Sequence, residues 1–254
     1  MAEKAPTREQ LERRHTRSKI AAWLNRPRHS GYLSDFVYGG IDGAVTTFAV
    51  VSGSAGANLS AEIIIILGFA NLIGDGFSMA AGNFLGTRVD QQIQHRIRQS
   101  EGHEIDVYPE GEREEIRQIF AAKGFSGDDL ERAVEIITSN RERWIETMLV
   151  EEHGLSIDHR SPLKAAGMTM FAFVLIGLIP LLPFVVSVAK LSETNTAFQL
   201  STLFAGVAFF SVGAIKSRFV QQRWYWAGLE TLVVGGVAAA LAYVVGIYLG
   251  YLIP

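Results

Sequence analysis

Residues 61–86, AEIIIILGFANLIGDGFSMAAGNFLG, follow residues 36–57, FVYGGIDGAVTTFAVVSGSAGA, after a three-residue break, and the two stretches together decide the fold. Each can cross about 30 Å of hydrocarbon as a helix, and neither contains Lys, Arg or His. Three more runs share these properties, at 165–189, 197–215 and 227–252. Backbone polar groups must be satisfied within lipid, so all five are expected as helices. The chain therefore reads as an all-α membrane protein with five transmembrane helices, the first two forming a tight hairpin through Ala57-Asn58-Leu59-Ser60.

Asp42 and Asp75 lie deep in the first two runs, whereas Glu62 and Glu230 fall within about a turn of an end. An ionised carboxylate in hydrocarbon must face a cavity, hold a proton or meet a cation. The runs supply no cation, so one arriving from outside is the natural partner. The alternative is a protonated pair bonded across the hairpin.

Of the 254 residues 48% are hydrophobic and none is Cys, which excludes disulfides and thiolate sites and leaves Met as the soft ligand. The first 30 or so residues are polar and basic, so no secretory signal is expected. Residues 1–34 hold eight Lys or Arg, 87–164 eleven and 216–226 three, while the other loops hold only Lys190. The positive-inside rule then puts the N-terminus and the segment between spans two and three in the cytoplasm. Four regions result: a basic cytoplasmic segment 1–34, a hairpin 35–86, a cytoplasmic helical insert 87–160, and spans three to five in 161–254. Residues 7–25 read as one basic helix with apolar Leu11, Ile20, Trp23 and Leu24, ended by Pro27, either lying on anionic headgroups or simply solvated. Pro180 and Pro183 are expected to kink or break the third span.

Asp35, Gly39, Asp42, Thr46 and Gly53 form one polar, small-residue stripe, and Asn71, Asp75, Met79, Asn83 and Gly86 form another. Such stripes face a partner helix or a hydrated path. Counting from the run ends puts Asp42 and Met79 at similar depth, with Asp75 one turn further out beside Thr46 and Thr47. Carboxylate alone suits Mg²⁺ or Ca²⁺, and the thioether shifts the preference toward Fe²⁺ and its neighbours; ordinary packing is the other reading of Met79. Exchange of metal for protons is expected, because a metal must displace any protons that an empty site holds. Gly39-x3-Gly43, Gly82-x3-Gly86 and Gly246-x3-Gly250 permit close helix approach, within the chain or between subunits.

The second span is expected to continue as a helix to about Gly102, followed by helices near 111–123, 127–139 and 141–153, with Asp128 as a start signal. Glu101 and Glu104 share a face, as do Glu112 and Glu115, and Met148 stands four residues before Glu152. They read as a metal-binding centre or as a solvated acidic face. His103, Glu151, His153 and His159 are auxiliary candidates.

The stretches DFVYGGIDGAVTTFAVVSG (35–53), GFANLIGDGFSMAAGNFLGTR (68–88) and Trp224 to Gly250 with its GLETLVVGG resemble the vacuolar iron transporter family and its bacterial members. The resemblance implies a homodimer of five-helix subunits with the ion path near the dimer interface. It implies export of Fe²⁺, and of Mn²⁺ or related metals such as Zn²⁺ and Co²⁺, from the cytoplasm against protons, with no organic cofactor. The family's translocation aspartate and methionine fall on Asp42 and Met79. A family glutamate becomes Asn71, and Asp75 one turn away is positioned to replace it; a common proline becomes Thr47. The family's metal-binding glutamates fall on Glu101, Glu104, Glu112, Glu115 and Glu152, and its first methionine on Met148, while a second becomes Leu149. The reading is a multi-pass transporter of the cytoplasmic membrane, not an enzyme, with metal ions, protons, lipid and a second copy as partners and no nucleic acid. The rival is a membrane-anchored sensor or a ferritin-like storage protein. Ferritin-like chemistry requires Glu-x-x-His on two helices, and only Glu12-x-x-His15 has that form.

Overall fold

The computed structural model describes residues 7–24, 31–156, 160–190, 194–220 and 222–252. Among these, the regular elements are all helices: α1 Arg8–Arg14, α2 Arg17–Leu24, α3 Leu33–Gly56, α4 Ala61–Val107, α5 Pro109–Ala122, α6 Gly127–Thr138, α7 Arg141–Glu151, α8 Pro162–Lys190, α9 Thr194–Val220 and α10 Trp224–Leu252. Five of them, α3, α4, α8, α9 and α10, are long and apolar enough to span a membrane. The protein is an all-α membrane protein. It divides into a span unit, up to Phe84 and again from Pro162, and an insert unit, Leu85–Ser161.

In the span unit, α3 packs against α8, α9 and α10, and its backbone almost touches those of α8 and α10. A Cβ on Gly39 would lie 2.5 Å from the Thr169 carbonyl oxygen, and one on Gly43 would lie 2.4 Å from that of Phe173. On α10, a Cβ at Gly246 would meet the Gly53 oxygen at 2.0 Å. Two of the three glycine pairs are thus consumed within the chain, because small residues let helices close up where lipid gives no hydrophobic drive. A Cβ on Gly82 or Gly86 would meet nothing within 4 Å among the described residues beyond the helix itself. Helix α4 joins the bundle through Ala61, Ile64, Gly68, Leu72, Gly76 and Ala80, a buried stripe at steps of three or four. It meets a core that includes Phe48, Val51, Phe173, Leu181 and Phe209. Its other face leaves Ile66, Ile73 and Phe77 open.

The insert unit has its own apolar core, with Ile105, Ile116, Val134, Trp144, Ile145, Met148 and Leu149 at its centre. Asn140 caps α7 by accepting from the Arg143 N–H at 2.9 Å. The other end of α7 closes on Gly154, whose φ of +63° suits glycine, while the Leu155 N–H donates to the Leu149 carbonyl at 2.9 Å.

Four local expectations change. The N-terminal helix is two pieces, because the His15 ring hydrogen-bonds the Leu11 carbonyl and Lys19 donates to that of Arg13, closing α1 before α2 begins. The side chains of Trp23 and Leu24, with Pro27 and His159, lie outside the described residues. Helix α8 runs unbroken through Pro180 and Pro183; beside them Ser201 on α9 donates to the Pro180 carbonyl at 2.6 Å and ties the two helices together. Helix α4 continues past Gly102 to Val107, where Arg141 donates to the Gly102 carbonyl at 2.7 Å. Ser126, not Asp128, precedes α6, and Asp128 sits in its first turn, where a negative charge favours the helix start.

Candidate metal sites

Two polar contacts fix how α3 and α4 stand against each other. Asn83 donates to Asp35 Oδ1 at 2.9 Å and to Thr169 Oγ1 at 2.7 Å. Asn71 donates to Thr46 Oγ1 at 3.3 Å and Thr47 Oγ1 at 3.4 Å. Four residues inward from the Asp35–Asn83 pair bring Gly39 level with Met79, and four more bring Gly43 level with Asp75. Counting back from Thr47 and Asn71 gives the same register. Asp42 therefore stands level with Asp75, within about one residue's rise. Met79 lies about one turn nearer the Asp35 end, not beside Asp42. The run ends mislead because hydropathy does not mark a helix level; the turn at 57–60 does.

Asp42 is half-buried and Asp75 is exposed in the single chain. Thr46 donates to the Asp42 carbonyl at 3.0 Å. Among the described residues neither acid is ion-paired. Met79 opens on a cleft of about 620 Å³ shared with Ser34, Asp35, Tyr38, Gly82 and Asn83, which Asp42 does not line. Asp35 is only 7% exposed. Thr169 gives its own proton to the Ala165 carbonyl at 3.1 Å, so Asn83 must donate to it and presents its second N–H to Asp35. Asp35 and Asn83 were visible as stripe members but not as partners. Their spacing from the hairpin turn, equal on both helices, was the available signal.

In the insert, the glutamates sort into two groups. Glu114 and Glu131 pair with Arg117, Glu142 and Glu146 with Arg98, and Glu151 with Lys123. Among the described residues Glu101, Glu104, Glu112, Glu115 and Glu152 have no Lys or Arg partner, nor do Glu110 and Glu135, which are exposed. Glu101 occupies the same stripe of α4 as Ile97 and Ile105, and Glu112 the same stripe of α5 as Ile116, so each is an acid at a core position. They are 4% and 5% exposed, and Oε2 of each is buried without a hydrogen-bond partner. An unsatisfied buried acceptor costs free energy unless a proton or cation arrives. Burial, then the charges of Glu115, Glu101, Glu104 and Glu152, push the Glu112 carboxyl up to about 7. Burial and neighbouring glutamates raise Glu115 and Glu152 as well.

Glu101, Glu104, Glu152 and His153 line one pocket of about 330 Å³. Met148 is fully buried in the apolar core beneath them, and Leu149 lies beside it. Of the auxiliary candidates, His153 joins the glutamates at 2.8 Å from Glu101. Glu151 is held by Lys123, and His103 is exposed.

Hydrocarbon-length helices bearing unpaired acids, together with a helical insert that gathers unpaired glutamates, define a polytopic membrane protein with two carboxylate sites. Residues 33–247 match the VIT family, and the chain belongs to that family. It is 34% identical to a vacuolar iron transporter of Toxoplasma gondii over 85% of this chain and 74% of that protein. It is 32% identical to vacuolar iron transporter 2 of Oryza sativa subsp. japonica, over 83% of this chain and 85% of the relative. A vacuolar iron transporter of Centaurea cyanus is 30% identical over 87% and 91%.

Proposed function

We propose that the protein transports divalent transition metal ions across a membrane, moving Fe²⁺, and also Mn²⁺ and related ions such as Zn²⁺ and Co²⁺, out of the cytoplasm in exchange for protons. One observation carries this reading: two carboxylates stand level on adjacent membrane helices with no Lys, Arg or His in any of the five apolar runs to balance them. A cation from solution or protons must neutralise them, and alternation between the two is exchange. Glu101, Glu104, Glu112, Glu115 and Glu152 collect the ion on the cytoplasmic side, while Met148, expected among them, packs in the apolar core instead. Met79, Asp42, Asp75 and Thr46 then line its way through, with Asn71 holding the two helices in register. The family membership and the relatives' names support iron as cargo.

The reading includes a homodimer in a cytoplasmic membrane, with the N-terminus in the cytoplasm. Gly74, Ser78, Gly82 and Gly86 follow one another at four-residue steps on the open face of α4, beside exposed Asp75. A second copy seated there would enclose Asp75, which lipid would not tolerate as an ion. The relatives' names place them at vacuoles, and export into a vacuole or out of a cell has the same direction relative to the cytoplasm.

Purified protein in liposomes tests the proposal with Fe²⁺ or Mn²⁺ on one side and a pH-sensitive dye on the other. Metal flux with opposing proton flux is expected, and Asp42→Ala should abolish both while leaving metal binding by the insert intact. Metal movement with no proton counterflow removes the exchange. Undiminished flux in Asp42→Ala removes the path and leaves a membrane-anchored metal sensor.

A further inference from the structure

The pocket lined by Glu101, Glu104 and Glu152 also takes in Ser100, Arg96 and one imidazole, that of His153. The left-handed turn at Gly154 ends α7 so that Glu152 and His153 face Glu101 on α4. His153 Nε2 lies 2.8 Å from Glu101 Oε1 and 3.6 Å from Glu152 Oε2. One ligand atom from each of these three residues lies within 4.8 Å of the others. Nitrogen and oxygen ligands held at about 2.0–2.2 Å from one metal stand roughly 3–3.5 Å apart. The two separations from the imidazole already lie close to that spacing, and the carboxylate oxygens lie within 4.8 Å of each other. Glu101 is nine-tenths buried, and its second oxygen has no hydrogen-bond partner, so an acceptor waits beside them.

We propose that His153 is a metal ligand whose Nε2 joins Glu101 and Glu152 in a mixed nitrogen–oxygen site for a borderline divalent cation. This rests on the reading of the insert as a metal-collecting unit. Carboxylates alone favour hard cations, and an imidazole moves the preference toward Fe²⁺, Co²⁺ and Zn²⁺. The chain needs such a donor, because Leu149 brings no thioether and Met148 is fully buried in the apolar core. Coordination uses the Nε2 lone pair, so the hydrogen bond to Glu101 gives way and the neutral ring keeps its proton on Nδ1.

The test loads the full chain in lipid nanodiscs with Mn²⁺ and reads ¹⁴N coupling by pulsed electron paramagnetic resonance. Titrations with Co²⁺ and Mg²⁺ follow. Wild type should show nitrogen coupling that disappears in His153→Gln. The same variant should bind Co²⁺ at least about tenfold more weakly, a loss that even the removal of an outer partner of a ligand produces, and Mg²⁺ nearly as before. His153 stands outside the apolar core, and circular dichroism of the variant checks that the helices persist. Nitrogen coupling unchanged in His153→Gln, or none in wild type although Glu101→Gln with Glu112→Gln abolishes binding, overturns the proposal and leaves the collecting role standing. Metal binding indifferent to those glutamate changes removes the collecting role and this proposal together.

Discussion

Glu112 shows how one side chain can carry both a stability cost and a function. Its carboxyl is pushed up to about 7 in the folded insert, against 4.5 without the fold. The folded state therefore holds a proton that the unfolded chain has released between those values, and stability falls as pH rises through that window. Glu115 and Glu152, also raised, act in the same direction. His153, raised by its bond to Glu101, contributes stability at low pH that is lost as pH climbs through its folded value. The metal-free insert should thus lose hydrogen-exchange protection in residues 109–152 between pH 5 and pH 8, and Mn²⁺ should restore it at pH 8. Glu112→Gln should flatten the pH dependence and weaken the metal's effect; a slope unchanged in that variant would exclude Glu112 as its source. At the other site, Asn83→Leu leaves Asp35 and Thr169 each without a donor they now use. Removing such a partner costs about 1–3 kcal/mol, visible as a lower unfolding temperature in detergent, and Asn83→Gln should not rescue it because the longer arm overshoots the register.

The helices divide into those whose glycines are already occupied and one whose glycines are free. Gly43→Ala would press a methyl to 2.4 Å from the Phe173 carbonyl oxygen, a clash with backbone that only separation of α3 and α8 relieves. Overpacking of this kind costs about 1–3 kcal/mol or more, so the variant should unfold at lower temperature. Gly82→Ala, where the added Cβ would meet nothing within 4 Å, should not destabilise the single chain and should raise its stability by up to about 1 kcal/mol. Hydropathy alone located the five spans, since 20-residue apolar runs have few other uses. It did not show which glycines close onto neighbours, because Gly39-x3-Gly43 and Gly82-x3-Gly86 look alike until α8 is laid against the first. Nor did it show the level of Met79, which depends on where the hairpin turns. The glutamates were legible as pairs, yet the sharper signal lay in register: Glu101 and Glu112 stand where the helical stripe demands an apolar residue.

The single chain leaves an acid-bearing face of α4 open, and the proposed dimer seats a second α4 on it. Gly74, Ser78, Gly82 and Gly86 form a groove one turn per step, flanked by exposed Ile73 and Phe77. Two such grooves crossing would bring backbones together and place the Asp75 side chains of both copies beside one enclosed passage. The chain contains no cysteine, so a single introduced one reports without background. Ser78→Cys should form an intermolecular disulfide on mild oxidation in the membrane, because helices crossing at small residues approach within the 4.4–6.8 Å between Cα atoms that a disulfide requires. Val237→Cys, on the exposed face of α10, should stay monomeric under the same treatment. Adding Mn²⁺ before oxidation should slow the Ser78 crosslink if the ion occupies the passage beside Asp75, and Asp75→Asn should remove that protection. Crosslinking at Val237 but not at Ser78 would move the dimer contact to α10, leave Asp75 facing lipid, and take Asp75 out of the transport path.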